Sequence, residues 1–161
     1  MMKYLQKLGK AIMLPVAVLP VAAIMMGIGY AMCPATMQGG DVTGIIQIIG
    51  FALVKIGSAV IDKLPMLFAV GVAIGLSKDQ HGAAGLAGLV AFLTVTTVLN
   101  SGVVATMMGA EEAPLAFSKI DNAFIGIISG ITASVCYNKF SSAQLPTALA
   151  FFSGKRCVPI V

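Results

Sequence analysis

Long apolar runs separated by short polar turns constrain the fold of this chain more than any other feature of its sequence. The first run, Ala11–Met32, holds 22 residues without a charged side chain, and a helix of that length would cross a hydrocarbon core about 30 Å thick. Soluble domains carry about a quarter charged residues, whereas this chain of 161 residues carries 10% and is 58% hydrophobic. So few charges cannot cover a surface that faces water. The sequence therefore predicts an all-α integral membrane protein.

Three shorter apolar runs follow, and each ends in polar residues that suit lipid headgroups. They are Leu64–Leu76, Ala83–Leu99 and Ala123–Tyr137, with 13, 17 and 15 residues. Between the last two, the stretch Asn100–Asn122 contains several charged side chains and is predicted to be an extramembrane loop. Together the runs predict a multi-helix bundle with about four to five membrane segments and an amphipathic or interfacial helix.

The run Gly44–Ile61 differs from the others because it carries polar side chains along one face. At the helical period of 3.6 residues, four polar residues fall close together, namely Gln47, Lys55, Ser58 and Asp62. A lysine exposed to lipid at mid-membrane is costly. The segment is therefore expected either to lie along the membrane interface or to turn its polar face inward.

The start of the chain, MMKYLQKLGK, is basic and amphipathic, which is typical of a segment at the cytoplasmic membrane surface. A cleaved signal peptide is the alternative. Its apolar core would have about 7–15 residues and be followed by an Ala-x-Ala cleavage pattern, and the run Ala11–Met32 has neither property.

The distribution of lysine and arginine among the short loops predicts the orientation of the chain. If Gly44–Ile61 does not cross and the other four runs do, most cations share the cytoplasmic side, namely Lys3, Lys7, Lys10, Lys78, Lys139, Lys155 and Arg156. The outside then holds Lys55, Lys63 and Lys119. A crossing by Gly44–Ile61 would move the last four of the cytoplasmic cations outside. The amino terminus and the SKDQHG turn at residues 77–82 are therefore predicted to be cytoplasmic.

Small residues recur at a spacing of four along the apolar runs. The pairs are Gly71 with Gly75, Ala84 with Gly88, and Gly126 with Gly130. Such faces let two helices approach backbone to backbone. One such pair arises by chance in a chain with 18 glycines, but several together predict a tight bundle and are compatible with an oligomer.

Side chains that carry chemistry are few and scattered. The single histidine, His81, has only Asp79 close by in the sequence and is expected to be a turn residue rather than a catalyst. The adjacent carboxylates of Glu111 and Glu112 fall in the predicted loop, where they are expected to be solvated. The three cysteines form no CxxC or zinc pattern and are expected to be free buried thiols, namely Cys33, Cys136 and Cys157.

No sequence motif predicts a catalytic residue, a metal or a cofactor. The chain lacks the phosphate-binding pattern GxxxxGK[ST], which argues against an ATPase. Its net charge of +4 is spread too thinly to form a basic patch, so nucleic acid is not an expected partner.

Four segments of the chain carry a family resemblance. They are KLGKAIMLPVAVLPVAAIMMGIG, LPMLFAVGVAIGLSKDQHGAAGLAG, IGIISGITASVCYNKF and LPTALAFFSGKRCVPI, in this order from Lys7 to Ile160. Together they resemble the amino-terminal half of the membrane permease, or IIC component, of a bacterial phosphoenolpyruvate-dependent sugar phosphotransferase system in its glucose and N-acetylglucosamine branch. The SKD-x-x-GAAGLAG portion is more similar to the N-acetylglucosamine members. Cys157 stands where the family usually has an aromatic residue after GKR.

The resemblance implies a homodimeric transporter in the bacterial inner membrane that moves a sugar inward by alternating access. A IIB domain or subunit would phosphorylate the sugar on the cytoplasmic side, with phosphate passed from phosphoenolpyruvate through the general phosphocarrier protein and IIA. N-acetylglucosamine is the favoured sugar and glucose the next. Residues 1–161 would be the amino-terminal scaffold and dimerisation part of the IIC domain. The carboxy-terminal half, absent here, would supply the sugar-binding histidine and glutamate.

The central functional residues of that family have no matching position in this chain, so its assignment as an enzyme stays open. None of the three cysteines has the Cys-x-Thr-Arg context of the phosphorylated IIB cysteine. Lys155 and Arg156 are the candidate functional residues, at the cytoplasmic mouth near the phosphoryl donor, although a positive-inside anchor explains them equally well. The alternative function is a small dimerising membrane scaffold or regulatory subunit without transport activity of its own.

Overall fold

The computed structural model of the chain describes residues 2–40, 42–109, 113–144, 146–147 and 153–160, with the side chains of residues 3 and 160 excepted. Within these ranges every regular element is an α-helix or a short 3₁₀ helix, and none is a strand. The all-α class predicted from the apolar runs is confirmed.

The α-helices are α1 Met2–Val16, α2 Leu19–Met32, α3 Ala35–Gln38, α4 Ile45–Asp62, α5 Leu64–Leu76, α6 Gly82–Val98, α7 Ser101–Met108 and α8 Ala123–Phe140. Within the described ranges, short 3₁₀ helices cover Leu115–Lys119, Gly154–Arg156 and Val158–Ile160. The bounds of α5 are those of the predicted run, and α6 and α8 differ from theirs by no more than three residues.

Three helical stretches within the described ranges are long and apolar enough to cross a membrane, namely Tyr4–Met32, Ile45–Asp62 and Ala123–Phe140. A fourth is obtained if α6 and α7 form one bent span. The helix α5 is apolar, but its 13 residues are short for a full crossing. By length and composition α4 can cross or lie at the interface, so the non-crossing topology stays a prediction.

The run Ala11–Met32, expected as one helix, contains a break between α1 and α2. Pro15 lies near the end of α1, and Pro20 lies in the first turn of α2. Proline lacks a backbone donor, and the first turn of a helix is where that donor is not needed. The two prolines therefore end one helix and begin the next.

One compact unit, the α2–α4 unit, covers Leu14–Leu64. Its two long helices meet at glycines: a Cβ atom added to Gly29 would lie 2.7 Å from the carbonyl oxygen of Gly50. A Cβ atom added to Gly57 would lie equally close, 2.7 Å, to the carbonyl oxygen of Ala22. Lys55 is exposed, with its Nζ 5.3 Å from the ring centroid of its neighbour Phe51. Lys55 therefore does not turn toward α2, whereas Gln47 and Ser58 are half-buried. The interfacial position of α4 stays a prediction.

The other compact unit, the α5–α8 unit, covers Met1–Met13 and Pro65–Val161. Its central contact is Ala69 on α5, which is fully buried. A Cβ atom added to Gly88 on α6 would lie 2.6 Å from the carbonyl oxygen of Ala69, and one added to Gly130 on α8 would lie 2.8 Å from it. Gly126 lies against the carbonyl group of Pro65 in the same way. The predicted small-residue faces of α6 and α8 are thus the faces that pack.

The first residues of α1 pack beside the carboxyl end of α5. Ala11 is 3% exposed and lies directly over Gly75. Leu8 packs in the same cluster, whose buried members include Val72 and Leu76. This contact brings the amino-terminal end of the chain to the end of the unit where α5 stops.

The prediction that Asn100–Asn122 is entirely a loop is wrong. The stretch contains α7 and the 3₁₀ helix Leu115–Lys119. Asn100 begins α7, since its Oδ1 accepts a hydrogen bond from the backbone N–H of Gly102 at 3.0 Å. The axis turns by 53° between α6 and α7. The charged residues later in the stretch led to the loop prediction, although the helical segment SGVVATMM is itself uncharged and mostly apolar.

Candidate functional site

The turn at residues 77–82 connects α5 to α6 and is built by its own polar side chains. The hydroxyl of Ser77 donates to the carbonyl of Ile74 at 2.7 Å, which closes the end of α5. Nδ1 of His81 accepts from the backbone N–H of Ala83 at 3.1 Å and thereby caps α6. His81 therefore caps α6 and is a turn residue, as the sequence predicted.

The carboxyl end of α8 holds this turn through the side chain of Asn138. Its Oδ1 accepts from the backbone N–H of Lys78 at 2.8 Å, and its Nδ2 donates to the carbonyl of Leu76 at 3.1 Å. One amide thus satisfies a donor and an acceptor of a backbone segment about 60 residues away in sequence. The neighbouring Tyr137, 1% exposed, donates its hydroxyl to Oδ2 of Asp79 at 3.0 Å.

A third segment reaches the same carboxylate. Nζ of Lys155, in the 3₁₀ helix Gly154–Arg156, lies 2.5 Å from Oδ2 of Asp79. The backbone N–H of Gly154 donates to the carbonyl of Ala143 at 2.9 Å, and Gly154 has φ +70°, a conformation that glycine adopts without strain. Asp79, Tyr137, Asn138 and Lys155 form a cluster, called the turn cluster below, that joins the 77–82 turn, α8 and the GKR segment.

The ion pair shifts both of its members toward their charged forms. The hydrogen bond from Lys155 is the main cause that holds the pKa of the Asp79 carboxyl below its ordinary value. The same hydrogen bond raises the pKa of the Lys155 ammonium. The two side chains are 37% and 45% exposed, respectively, so water screens the pair. The geometry and the two pKa shifts indicate an ion pair that persists across neutral pH and holds the 77–82 turn to the GKR segment.

Lys155, one of the two residues predicted to be functional, forms an ion pair with Asp79. Arg156 is exposed beside it. Sequence reasoning missed the partners, because the sequence marks Asp79 only as a neighbour of His81 and gives no role to Tyr137 or Asn138. The available signal was a tyrosine and an asparagine at the polar end of an otherwise apolar run.

The remaining candidate groups do not converge. Cys33, Cys136 and Cys157 are free thiols; the first is buried and the other two are half-buried, so the expectation of burial holds only for Cys33. Within the described ranges no group of three histidine, cysteine, aspartate or glutamate side chains could hold a metal ion. Glu111 and Glu112 lie outside the described residues.

Comparison with known proteins matches the chain to one family along almost its whole length. Residues 9–161 match the family model described as the phosphotransferase system EIIC. The N-acetylglucosamine-specific EIICB component of Bacillus subtilis is 39% identical over 163 residues, which cover 100% of the chain and 30% of that protein. The glucose-specific EIICBA component of Staphylococcus saprophyticus is 37% identical over 172 residues, which cover 98% of the chain and 24% of that protein. The chain thus spans less than a third of the length of these relatives.

Proposed function

Because the chain belongs to the EIIC family of the phosphotransferase system, we propose that it is a membrane part of a sugar permease. It moves N-acetylglucosamine, or with second preference glucose, into the bacterial cell in step with phosphorylation of the sugar. The observation that carries this proposal is the match of residues 9–161 to the family, with relatives specific for these two sugars at 39% and 37% identity.

Within such a permease, residues 1–161 act as the amino-terminal scaffold and dimerisation part. The packing supports this role, because the helices meet through glycine and alanine rather than through groups that bind sugar hydroxyls. In the described part of the chain, the buried polar residues are three serines, namely Ser77, Ser129 and Ser134. The hydroxyls of Ser77 and Ser134 donate to carbonyls three residues back. The groups that hold the sugar at the transport site are therefore expected from the carboxy-terminal half of the domain.

In the proposed orientation, the amino terminus and the 77–82 turn lie on the cytoplasmic side of the membrane. Ala11 contacts Gly75, so the start of the first apolar run and the end of α5 share one side of the membrane. An even number of crossings must separate two points on the same side. The α1–α2 stretch is one of these crossings, and the second is either α4 or the shorter α5. The positive-inside bias favours α5 as the second crossing, with α4 at the interface.

The cytoplasmic end of the α5–α8 unit then faces the phosphoryl donor. Four cations belong to the turn cluster or lie next to its members in the sequence, namely Lys78, Lys139, Lys155 and Arg156. The relatives are EIICB and EIICBA components, which join the permease to IIB and IIA parts in one chain. A IIB domain or subunit is accordingly the proposed partner, supplied in turn by IIA and the general phosphocarrier protein.

A chimaera tests this function. The matching segment of the N-acetylglucosamine-specific EIICB relative is replaced by this chain and expressed in a bacterial strain without its own N-acetylglucosamine and glucose permeases. We expect the chimaera to restore uptake of radiolabelled N-acetylglucosamine, whereas the relative without that segment does not. A chimaera that reaches the membrane in normal amounts and takes up neither sugar would support the alternative of a scaffold without transport activity.

A further inference from the structure

A polar cleft of about 460 Å³ lies in the α5–α8 unit where α6 ends and α8 begins. It is lined among others by Thr96, Thr97, Asn100, Ser101, Phe117 and Asp121. These residues come from the last turn of α6, the start of α7, and the 3₁₀ helix Leu115–Lys119 with the residues after it. The 17 residues of α6 separate the cleft from the 77–82 turn by about 25 Å, at about 1.5 Å per residue. The cleft is thus distinct from the turn cluster.

The lining combines hydrogen-bond donors, acceptors and one aromatic ring. Oδ1 of Asn100 accepts from the N–H of Gly102 at 3.0 Å, which leaves the amide NH₂ group as a donor. Asp121 is exposed and contributes a carboxylate that only accepts. Phe117 is half-buried and contributes an apolar surface. The hydroxyls of Thr97 and Ser101 add groups that can both donate and accept. The hydroxyl of Thr96 donates to the carbonyl of Phe92 at 2.9 Å, so it can only accept from a ligand.

This set of groups selects a neutral ligand rich in hydroxyls. Among the described residues that line the cleft, Asp121 is the one charged side chain, so an anion such as a sugar phosphate would be repelled. A metal ion is disfavoured, because the described residues hold no group of three suitable ligands. A carboxylate can accept hydrogen bonds from two neighbouring hydroxyls, and an amide can donate to a third oxygen. The C–H face of a sugar ring can pack on the phenyl ring.

We propose that this cleft is an entry subsite that binds an unphosphorylated monosaccharide on the outer side of the membrane. The volume lies within the range of about 300–1,000 Å³ that is usual for small-molecule sites. The outer position rests on the proposed function and its orientation, because α6 runs from the cytoplasmic 77–82 turn to the cleft. An open, partly exposed lining holds a sugar only weakly, with a dissociation constant on the order of 1 mM or weaker.

Binding to the purified full chain in lipid nanodiscs tests the site directly. Saturation-transfer NMR is recorded with N-acetylglucosamine, glucose and glucose 6-phosphate as probes. The two neutral sugars are expected to receive saturation from the chain, and the phosphorylated sugar is not. Asp121→Asn and Phe117→Ala should each weaken binding by about tenfold, since each removes one of the groups that contact the sugar. Asp62→Asn and Phe124→Ala are the matched controls, because both residues are exposed and neither lines the cleft.

The outcomes separate this site from the proposed function. If neutral sugars bind equally well to the wild-type chain and to both cleft variants, the cleft is not the binding site. This conclusion holds whether or not the chimaera transports sugar. Absence of sugar binding up to about 50 mM overturns the site as well. Binding that the cleft variants lose and the controls keep supports the site even if the chimaera fails to transport. In a chimaera that transports, Asp121→Asn should raise the KM for uptake by about tenfold with little change in the maximal rate.

Discussion

Replacement of Gly88 by alanine should destabilise the α5–α8 unit, because this glycine sits where α6 touches the backbone of α5. The added Cβ would lie 2.6 Å from the carbonyl oxygen of Ala69 and 2.6 Å from the Cβ of Ala73, against at least 3.4 Å for an ordinary contact. The two helices would therefore have to separate by about 0.8 Å at this point. Overpacking of this kind costs about 1–3 kcal/mol. The higher helix propensity of alanine offsets about 0.5–1 kcal/mol of this cost. Because the contacted atoms are a backbone oxygen and a Cβ, which cannot rotate away, the cost falls in the upper half of its range and the net loss is about 1–2 kcal/mol.

Thermal unfolding in detergent, followed by circular dichroism, measures this loss. A chain of this size loses about 2–4 °C in Tm per kcal/mol, so Gly88→Ala should lower the Tm by roughly 2–8 °C. The matched control is Gly82→Ala in the same helix, where an added Cβ meets nothing within 4 Å. That variant should keep its Tm or gain slightly. The reasoning is refuted if Gly88→Ala unfolds at the same temperature as Gly82→Ala.

Further predictions concern the Asp79–Lys155 ion pair, the contact between α2 and α4, and the affinity of the chain for sugar. Because the pKa of Asp79 is lowered, the tie to Lys155 is present above the ordinary carboxyl pKa and is lost as the pH falls through the lowered value. Because the pKa of Lys155 is raised, the tie is also lost as the pH rises through that raised value. In ¹³C NMR, Lys155→Ala should therefore move the titration midpoint of Asp79 upward, whereas Lys78→Ala should not; equal midpoints in all three proteins contradict the pairing. Gly57→Val should separate α2 from α4 and expose the buried Cys33 to a thiol reagent at lower temperature than in the wild type; an unchanged reaction profile argues against that contact. The purified chain should show no submillimolar binding of sugar by calorimetry, and such binding would place the transport site within these residues.

The sequence predicted the ends of a helix where polar residues flank an apolar run. The run Leu64–Leu76 is bounded by Lys63 and Ser77, and α5 has those bounds. Glycine spacing also predicted the packing faces of α6 and α8, because close backbone approach needs small residues whatever the partner helix is. These features depend on local composition, which one sequence displays directly.

The turn cluster could not be predicted in the same way. Asp79 and Tyr137 are 58 positions apart, and nothing in either neighbourhood specifies that α8 ends beside the 77–82 turn. The helix α7 was missed for a different reason. Its start depends on capping by Asn100, and the charges of the surrounding stretch outweighed this local signal. Lys155 is a candidate functional residue from the sequence, but its ion-pair partner Asp79 is identified only by the fold.

Phosphorylation of sugar by membranes that contain the chimaera tests the central claim most directly. The membranes are supplied with radiolabelled N-acetylglucosamine, phosphoenolpyruvate and the soluble phosphotransferase proteins, and the labelled sugar phosphate is measured. If the chain is part of a phosphotransferase-system permease, sugar phosphate forms only when phosphoenolpyruvate and the soluble proteins are both present. If the chimaera is correctly inserted and no phosphoenolpyruvate-dependent sugar phosphate forms from N-acetylglucosamine or glucose, the claim is contradicted.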